Sequence, residues 1–222
     1  MKYLLHIDTS GDTGSVSLGL NGKLVSSQIN TESRNHASSI NLMIADVLEA
    51  GGITMRQLSA VVVCAGPGSY TGLRIGLSTA KGICYALNIP LLLDNKLTLL
   101  AYQAFCKYGK MYDKYIPLLL ARDQEYFINI FDNNFKNIDV ATHIMAENLD
   151  NYMLGDLSIC LISDCVDDEI SMKYGKIKHI DNTVNLDISL WLGYSLEQYN
   201  CNNFVNLSTA EPFYLKQVYT HK

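Results

Sequence analysis

Short apolar segments, each closed by a polar or glycine signal, organise the first half of the chain. Residues 2–8 (KYLLHID) form an apolar run with a polar end, which predicts a buried strand. Ser15 to Leu20 alternates, Asn21-Gly22 follows as a strong two-residue hairpin signal, and Lys23 to Ile29 is the return strand. Three antiparallel strands therefore open the protein. Ala37, Ile40, Ile44, Val47 and Leu48 fall on one helical face, and Gly51-Gly52 supplies the left-handed stop. Leu58 to Ala65 (LSAVVVCA) predicts a fully buried strand of the parallel kind. GPGSYTG leads into a second helix over 72–88, Pro90 opens the short strand PLLLD, and a third helix runs to about 107. The order β-β-β-α-β-α-β-α predicts an α/β fold, a mixed sheet with helices on its faces.

The second half is patterned less sharply. Residues 116–121, 126–131 and 157–163 are strand candidates, with a turn at Asp132-Asn133-Asn134. Asp187 is placed to cap a helix carrying Ile188, Trp191, Leu192 and Tyr199. A break near Tyr108-Gly109-Lys110 divides the chain into an N-terminal lobe, 1–108, and a smaller C-terminal lobe, 109–222, whose tail packs back on the first.

Charge and glycine are both lopsided. The net charge is −5, yet residues up to 110 hold nine basic and six acidic residues, and those beyond hold eight and sixteen. An acidic chain is a poor autonomous nucleic-acid binder, because that affinity comes largely from phosphate neutralisation. Twelve of the fifteen glycines lie in the first 110 residues, so the second half is poorly equipped to cradle a nucleotide. The six cysteines have no CxxC spacing and read as reduced thiols, Cys64 and Cys84 as small core residues. No apolar run approaches the roughly 20 residues of a membrane span. The start MKYLLHIDTS lacks a secretory pattern, so the chain is expected to start near Met1 and to be cytoplasmic.

Candidate chemistry concentrates at the ends of the first strands. In IDTS, Asp8 is suited to holding a metal-bound water, and Thr9 and Ser10 to meeting a phosphate; the same residues also serve simply to organise a turn. In GPGSYTGLRIG, the strand-to-helix junction Gly66, Gly68, Ser69 and Thr71 is a ready anion site. It is neither a dinucleotide fingerprint nor a P-loop. Gly72, Gly76 and Gly82, with Ser78 and Ala80, make one side of that helix smooth and suited to close packing. His36 has Ile40 rather than a second His four residues on, so a two-histidine metal site is absent and a surface or interface role is expected. No hydrolase, zincin or EF-hand spacing occurs.

IDTS (7–10), SRNH ending at His36, AGPGSYTGLRIG (65–76), IPLLL (89–93) and AEPFYLK (210–216) together resemble the TsaB (YeaZ) family. The resemblance is strong to about residue 103, thin to about 205, and returns at the tail. It implies a two-lobed fold of the actin, Hsp70 and sugar-kinase type (ASKHA). It also implies a non-catalytic partner of the catalytic subunit TsaD, which transfers threonylcarbamoyl to N6 of adenosine 37 in tRNAs reading ANN codons. A TsaE-type ATPase joins them, tRNA is met only through the complex, and the lone chain is a homodimer. TsaD holds a metal partly through an HxxxH after the strand corresponding to PLLLD; here those positions are Lys96 and Leu100, so no metal is expected. The family's IDAR segment reads LLAR, with Leu120 at the Asp position while Arg122 and Glu125 remain. Ser163 stands where a glycine is common.

These features set a scaffold reading against two enzymes of the same ancestry, an ATP-dependent phosphotransferase and a metallopeptidase. Under the scaffold reading ATP binds weakly or not at all. Helices 35–50 and 72–88 then carry the partner interface, with Arg34, His36, Ile40, Ile44, Gly72, Arg74, Ile75, Gly76, Ser78 and Thr79 as its residues. Helix 72–88 has two apolar stripes, Leu73, Leu77, Ala80 and Cys84 on one and Ile75, Thr79, Gly82, Ile83 and Ala86 on the other. A helix apolar nearly all round is covered on both sides. Gly76→Glu or Ser78→Arg should then abolish association and leave the monomer folded.

Overall fold

In the computed structural model the described residues are 1–32, 35–153, 157–163, 165 and 177–215. They form two compact units, one of residues 1–96 with 187–213, the other of 97–186 with 214–222. The division falls after Lys96 rather than at 108. The helix that follows Lys96 buries Leu100, Ala101 and Ala104 in a cluster with Tyr115, Phe131 and Cys160 of the second unit.

The first unit is built on a five-stranded sheet, ordered β3-β2-β1-β4-β5. Its strands are β1 (Tyr3–Asp8), β2 (Gly14–Leu20), β3 (Lys23–Asn30), β4 (Leu58–Cys64) and β5 (Leu91–Asp94). The first three are antiparallel neighbours, and β4 and β5 run parallel to β1 and to each other. Asn21 (φ 50°) and Gly22 (φ 78°) are both left-handed, as a tight primed hairpin turn needs. Helices α1 (His36–Ala50) and α2 (Tyr70–Leu87) pack side by side. Leu5, Ile7, Val16, Leu18, Val61 and Val63 of the sheet meet Ile40, Ile44, Val47, Leu77, Ala80 and Cys84 of these helices in one core. Two details of α1 differ from the periodic pattern. Ala37 is exposed while His36 turns inward, and Gly51 stays right-handed, so the positive φ falls on Gly52.

The second unit has a sheet ordered β11-β10-β6-β7-β9. Its strands are β6 (Lys114–Arg122), β7 (Glu125–Ile128), β9 (Thr142–Met145), β10 (Ile159–Ile162) and β11 (Ile177–Asp181), with β8 (Phe131–Asp132) paired to β6. Reversed, this repeats the first sheet: an antiparallel β6-β7-β9 meander and parallel β10 and β11. Helix α3 (Lys96–Tyr108) and the short α4 (Asp150–Met153) complete its helices among the described residues. The strand expected over 126–131 is two, because Asn129 and Ile130 break the ladder between β7 and β8.

Helix α5 (Ile188–Asn200) belongs to the first unit, where it contacts β1, β3 and β5. Asp187 caps it as expected, accepting from the backbone N–H of Ser189 (2.8 Å) and Leu190 (3.3 Å). Beyond it, Val205 bridges Leu91, and the Phe213 N–H donates to the Ala65 carbonyl at 2.9 Å. No helix among the described residues is long and apolar enough to cross a membrane.

Candidate functional site

The IDTS turn at the end of β1 and the glycine-rich turn before α2 meet directly. Asp8 accepts the Ser10 N–H at 2.8 Å, folding the turn on itself. The Thr9 hydroxyl donates to the Gly72 carbonyl (2.7 Å), and the Ser69 N–H donates to the Ser10 carbonyl (2.7 Å). Ser69 also caps α2, its hydroxyl accepting from the Gly72 N–H at 3.3 Å. Thr9 and Ser10 are buried beneath, whereas Gly68, Ser69 and Thr71 are exposed.

Glycine spacing follows from this contact. A Cβ on Gly68 would lie 2.2 Å from the Ser10 carbonyl oxygen, one on Gly72 2.0 Å from the Thr9 carbonyl oxygen, and one on Gly76 2.4 Å from the Thr9 hydroxyl. These glycines admit the chain's own backbone. Gly66 adopts φ 110°, and its carbonyl accepts the Lys96 N–H at 2.7 Å, tying the turn to the end of β5. Of the positions the resemblance ties to a metal, Lys96 makes that backbone contact, and Leu100 lies in the second unit's core.

The residues named for a partner interface separate into two sets. His36, Ile40, Ile44, Gly72 and Gly76 are buried inside the first unit and present nothing to a partner. The His36 ring lies against Gly14, whose Cβ would come 2.8 Å from Nδ1, and Nε2 meets the Gly11 carbonyl at 3.1 Å. Its surface role is therefore corrected to a packing role. Arg74 and Ser78 are exposed, and Ile75 and Thr79 half-buried. Arg34 lies outside the described residues, as do Lys216 and Gln217 at the tail. The first stripe of α2 is in the core; of the second, Gly82 and Ala86 are exposed and Ile75, Thr79 and Ile83 half-buried. Periodicity alone missed two exposed large residues on these helices, Tyr85 (83% exposed) on α2 and Leu42 (68%) on α1. The Arg74 guanidinium lies 4.1 Å from the Tyr70 ring centre.

A second constellation, unforeseen from the sequence, lies on the other face of the first sheet. The buried Asp94 carboxylate accepts from the Trp191 indole N–H (2.7 Å) and the Ser195 hydroxyl (2.8 Å). Burial pushes its pKa up to about 6, against which both hydrogen bonds act. His6 meets the Trp191 ring edge-on at 5.0 Å; neither ring nitrogen has a partner among the described residues, and burial lowers its pKa to about 3. Cys64, beside Asp94 on β4, is held well above the usual thiol range by burial.

With this geometry in place, the similarities to known proteins are specific. The family model for TsaD, the tRNA N6-adenosine threonylcarbamoyltransferase, matches residues 23–154. The tRNA threonylcarbamoyladenosine biosynthesis protein TsaB of Haemophilus influenzae is 35% identical over 103 residues, 46% of this chain and 43% of that protein. TsaB of Bacillus subtilis is 30% identical over 135 residues, 60% of this chain and 56% of that protein. The tRNA N6-adenosine threonylcarbamoyltransferase of Clostridium perfringens is 26% identical over 147 residues, 59% of this chain and 43% of that protein. The chain thus spans about half the length of the curated relatives it matches. YeaZ from Pseudomonas aeruginosa superposes with a TM-score of 0.75 at 21% identity, covering 97% of this chain and 100% of that one. The fold is that of YeaZ, and the expected ASKHA-type α/β class holds.

Proposed function

This chain belongs to the TsaD family, and from that premise we propose that it is a non-catalytic subunit of the machinery that forms N6-threonylcarbamoyladenosine at position 37 of tRNAs reading ANN codons. Its partner is the TsaD-type catalytic chain, joined by a TsaE-type ATPase; alone, it pairs with a second copy. The observation that carries this reading is the second stripe of α2. Gly82 and Ala86 are exposed and Ile75, Thr79 and Ile83 only half-buried, Ile75 and Ile83 packing against the core, and Tyr85 on the same helix and Leu42 on α1 are exposed. Apolar residues left exposed or half-exposed on α2, with an exposed aromatic beside them on the same helix, favour a protein partner. The glycine-rich turn supports the non-catalytic part, since its close approaches are filled by Thr9 and Ser10.

The experiment is co-purification with the organism's TsaD-type subunit, followed by a tRNA modification assay with and without this chain. Ser78→Arg places a long cation at an exposed position of α2, next in sequence to Thr79 of that stripe, without touching the core. It should cost at least tenfold in association and modification, with an unchanged circular dichroism spectrum. Association at wild-type strength would place the interface elsewhere. Gly76→Glu is unsuited to the test, because its Cβ would strike Thr9 and disturb the fold. Calorimetry separates the phosphotransferase alternative: low-micromolar ATP affinity with turnover by the isolated chain would establish it.

A further inference from the structure

Lys114 and Lys136 of the acidic half of the chain, and Lys110 just before it, lie around one turn of the second unit. Lys114 and Asp132 are direct cross-strand partners on β6 and β8. Lys136 follows on the same turn, its N–H donating to Asp132 Oδ1 at 2.9 Å. Lys110 reaches over from the end of α3, its ammonium donating to the Asn134 side-chain oxygen at 2.6 Å. Lys110 and Lys136 are exposed and Lys114 is half-buried. None of the three ammonium groups has a carboxylate within ion-pair distance among the described residues.

Carboxylates nearby are turned toward the backbone. Asp132 accepts the N–H groups of Asn134 (2.8 Å) and Lys136 (2.9 Å), which hold its pKa below the ordinary carboxylate value. Asp113 accepts the Ser158 N–H (2.7 Å) and hydroxyl (2.8 Å), and its pKa is likewise lowered. Asp181 is buried and takes the Thr183 N–H, the Tyr108 hydroxyl and the ammonium of a fourth lysine, Lys107. Asp132 also lies within electrostatic reach of Lys136 and Lys110, which lower its pKa further, but its Oδ1 is engaged by backbone N–H groups and forms no ion pair with either lysine among the described residues, and both lysines are exposed.

We propose that Lys110, Lys114 and Lys136 form a phosphate-contacting surface for RNA, through which this chain helps hold the tRNA within the complex. The proposal rests on the functional reading above. Three lysines placed around one turn and its paired strand suit a polyanion with successive phosphates, and they carry no means of reading bases, so the contact positions the RNA without specifying it. The acidic balance of the chain fits a contact that adds to binding made elsewhere in the complex rather than one that suffices alone.

The test compares the complex of this chain and its TsaD-type partner with the same complex carrying Lys110→Ala, Lys114→Ala and Lys136→Ala together. Filter binding of an unmodified ANN-reading tRNA transcript is measured over a series of salt concentrations. The triple variant is expected to bind about tenfold or more weakly, with a log–log salt slope lower by about two to three, close to one per lost phosphate contact. Unchanged affinity and slope would overturn the proposal. So would failure of the variant to co-purify with its partner, which would assign the lysines to a protein contact. The modification assay with the wild-type chain separates the two readings. If that chain adds nothing to modification, the subunit assignment falls. If it does add and the triple variant binds tRNA normally, only the lysine surface falls.

Discussion

Gly72→Ala should cost the first unit about 3 kcal/mol or more of stability, at the upper end of what overpacking usually does. The added methyl would sit 2.0 Å from the Thr9 carbonyl oxygen, and a backbone atom cannot swing aside as a flexible side chain can. That carbonyl belongs to the turn that Thr9 fastens to Gly72 through its own hydroxyl, so relief of the clash breaks a buried hydrogen bond as well. Gly82→Ala is the matched control on the same helix. Nothing lies within 4 Å of its Cβ position, so the variant should gain up to about 1 kcal/mol from helix propensity alone. Urea unfolding of both variants measures the contrast; equal effects would show that the turn-to-turn contact is looser than described. Gly82 also bears on the interface. If a partner helix approaches α2 closely there, Gly82→Ala strengthens the isolated chain and weakens its association.

Much of the first unit was legible because its signals are local. A buried run such as LSAVVVCA, an Asn-Gly turn and an aspartate cap each act within a few residues, and the structure has all three. The interface assignment went partly astray for a non-local reason. Ile40 and Ile44 are apolar at helical spacing, but spacing does not say whether a stripe faces the chain's own sheet or another protein. Likewise GPGSYTG announces close approach by something, and only the fold shows that this is the backbone of Thr9 and Ser10. The cluster of His6, Asp94, Trp191 and Ser195 joins residues up to 189 positions apart in sequence, and no spacing rule could have assembled it. In the second unit, short strands of four or five residues carry too little pattern to be seen singly, and β9 and β11 escaped notice for that reason. Its sheet order repeats that of the first unit without any sequence identity that marks the repeat.

Stability against pH should change in opposite senses when Asp94 and His6 are replaced. Asp94 has a folded pKa raised from 3.8 to about 6, so its contribution is full below about pH 4 and is lost as pH rises through 6. His6 has a folded pKa lowered from 6.5 to about 3, so its contribution is full above 6.5 and is lost as pH falls toward 3. Between about pH 4 and 6 the two slopes oppose each other, each near 1.4 kcal/mol per pH unit, and the wild-type chain should lose little through this pair. His6→Leu leaves only the Asp94 slope, so relative to wild type the variant gains up to about 3 kcal/mol on acidification from pH 6 to 4. Asp94→Asn leaves only the His6 slope and loses by a similar amount over the same interval. Asp94→Ala should be the most damaging of the three at neutral pH, because it strips the buried Trp191 indole N–H and the Ser195 hydroxyl of their acceptor. Trp191 is the single tryptophan, so its fluorescence reports directly on this carboxylate. Its emission should titrate with a midpoint near pH 6 in the wild-type chain and not in Asp94→Asn. Parallel stability profiles for wild type and both variants, or a Trp191 titration that survives Asp94→Asn, would show that Asp94 does not carry the charge change beneath α5.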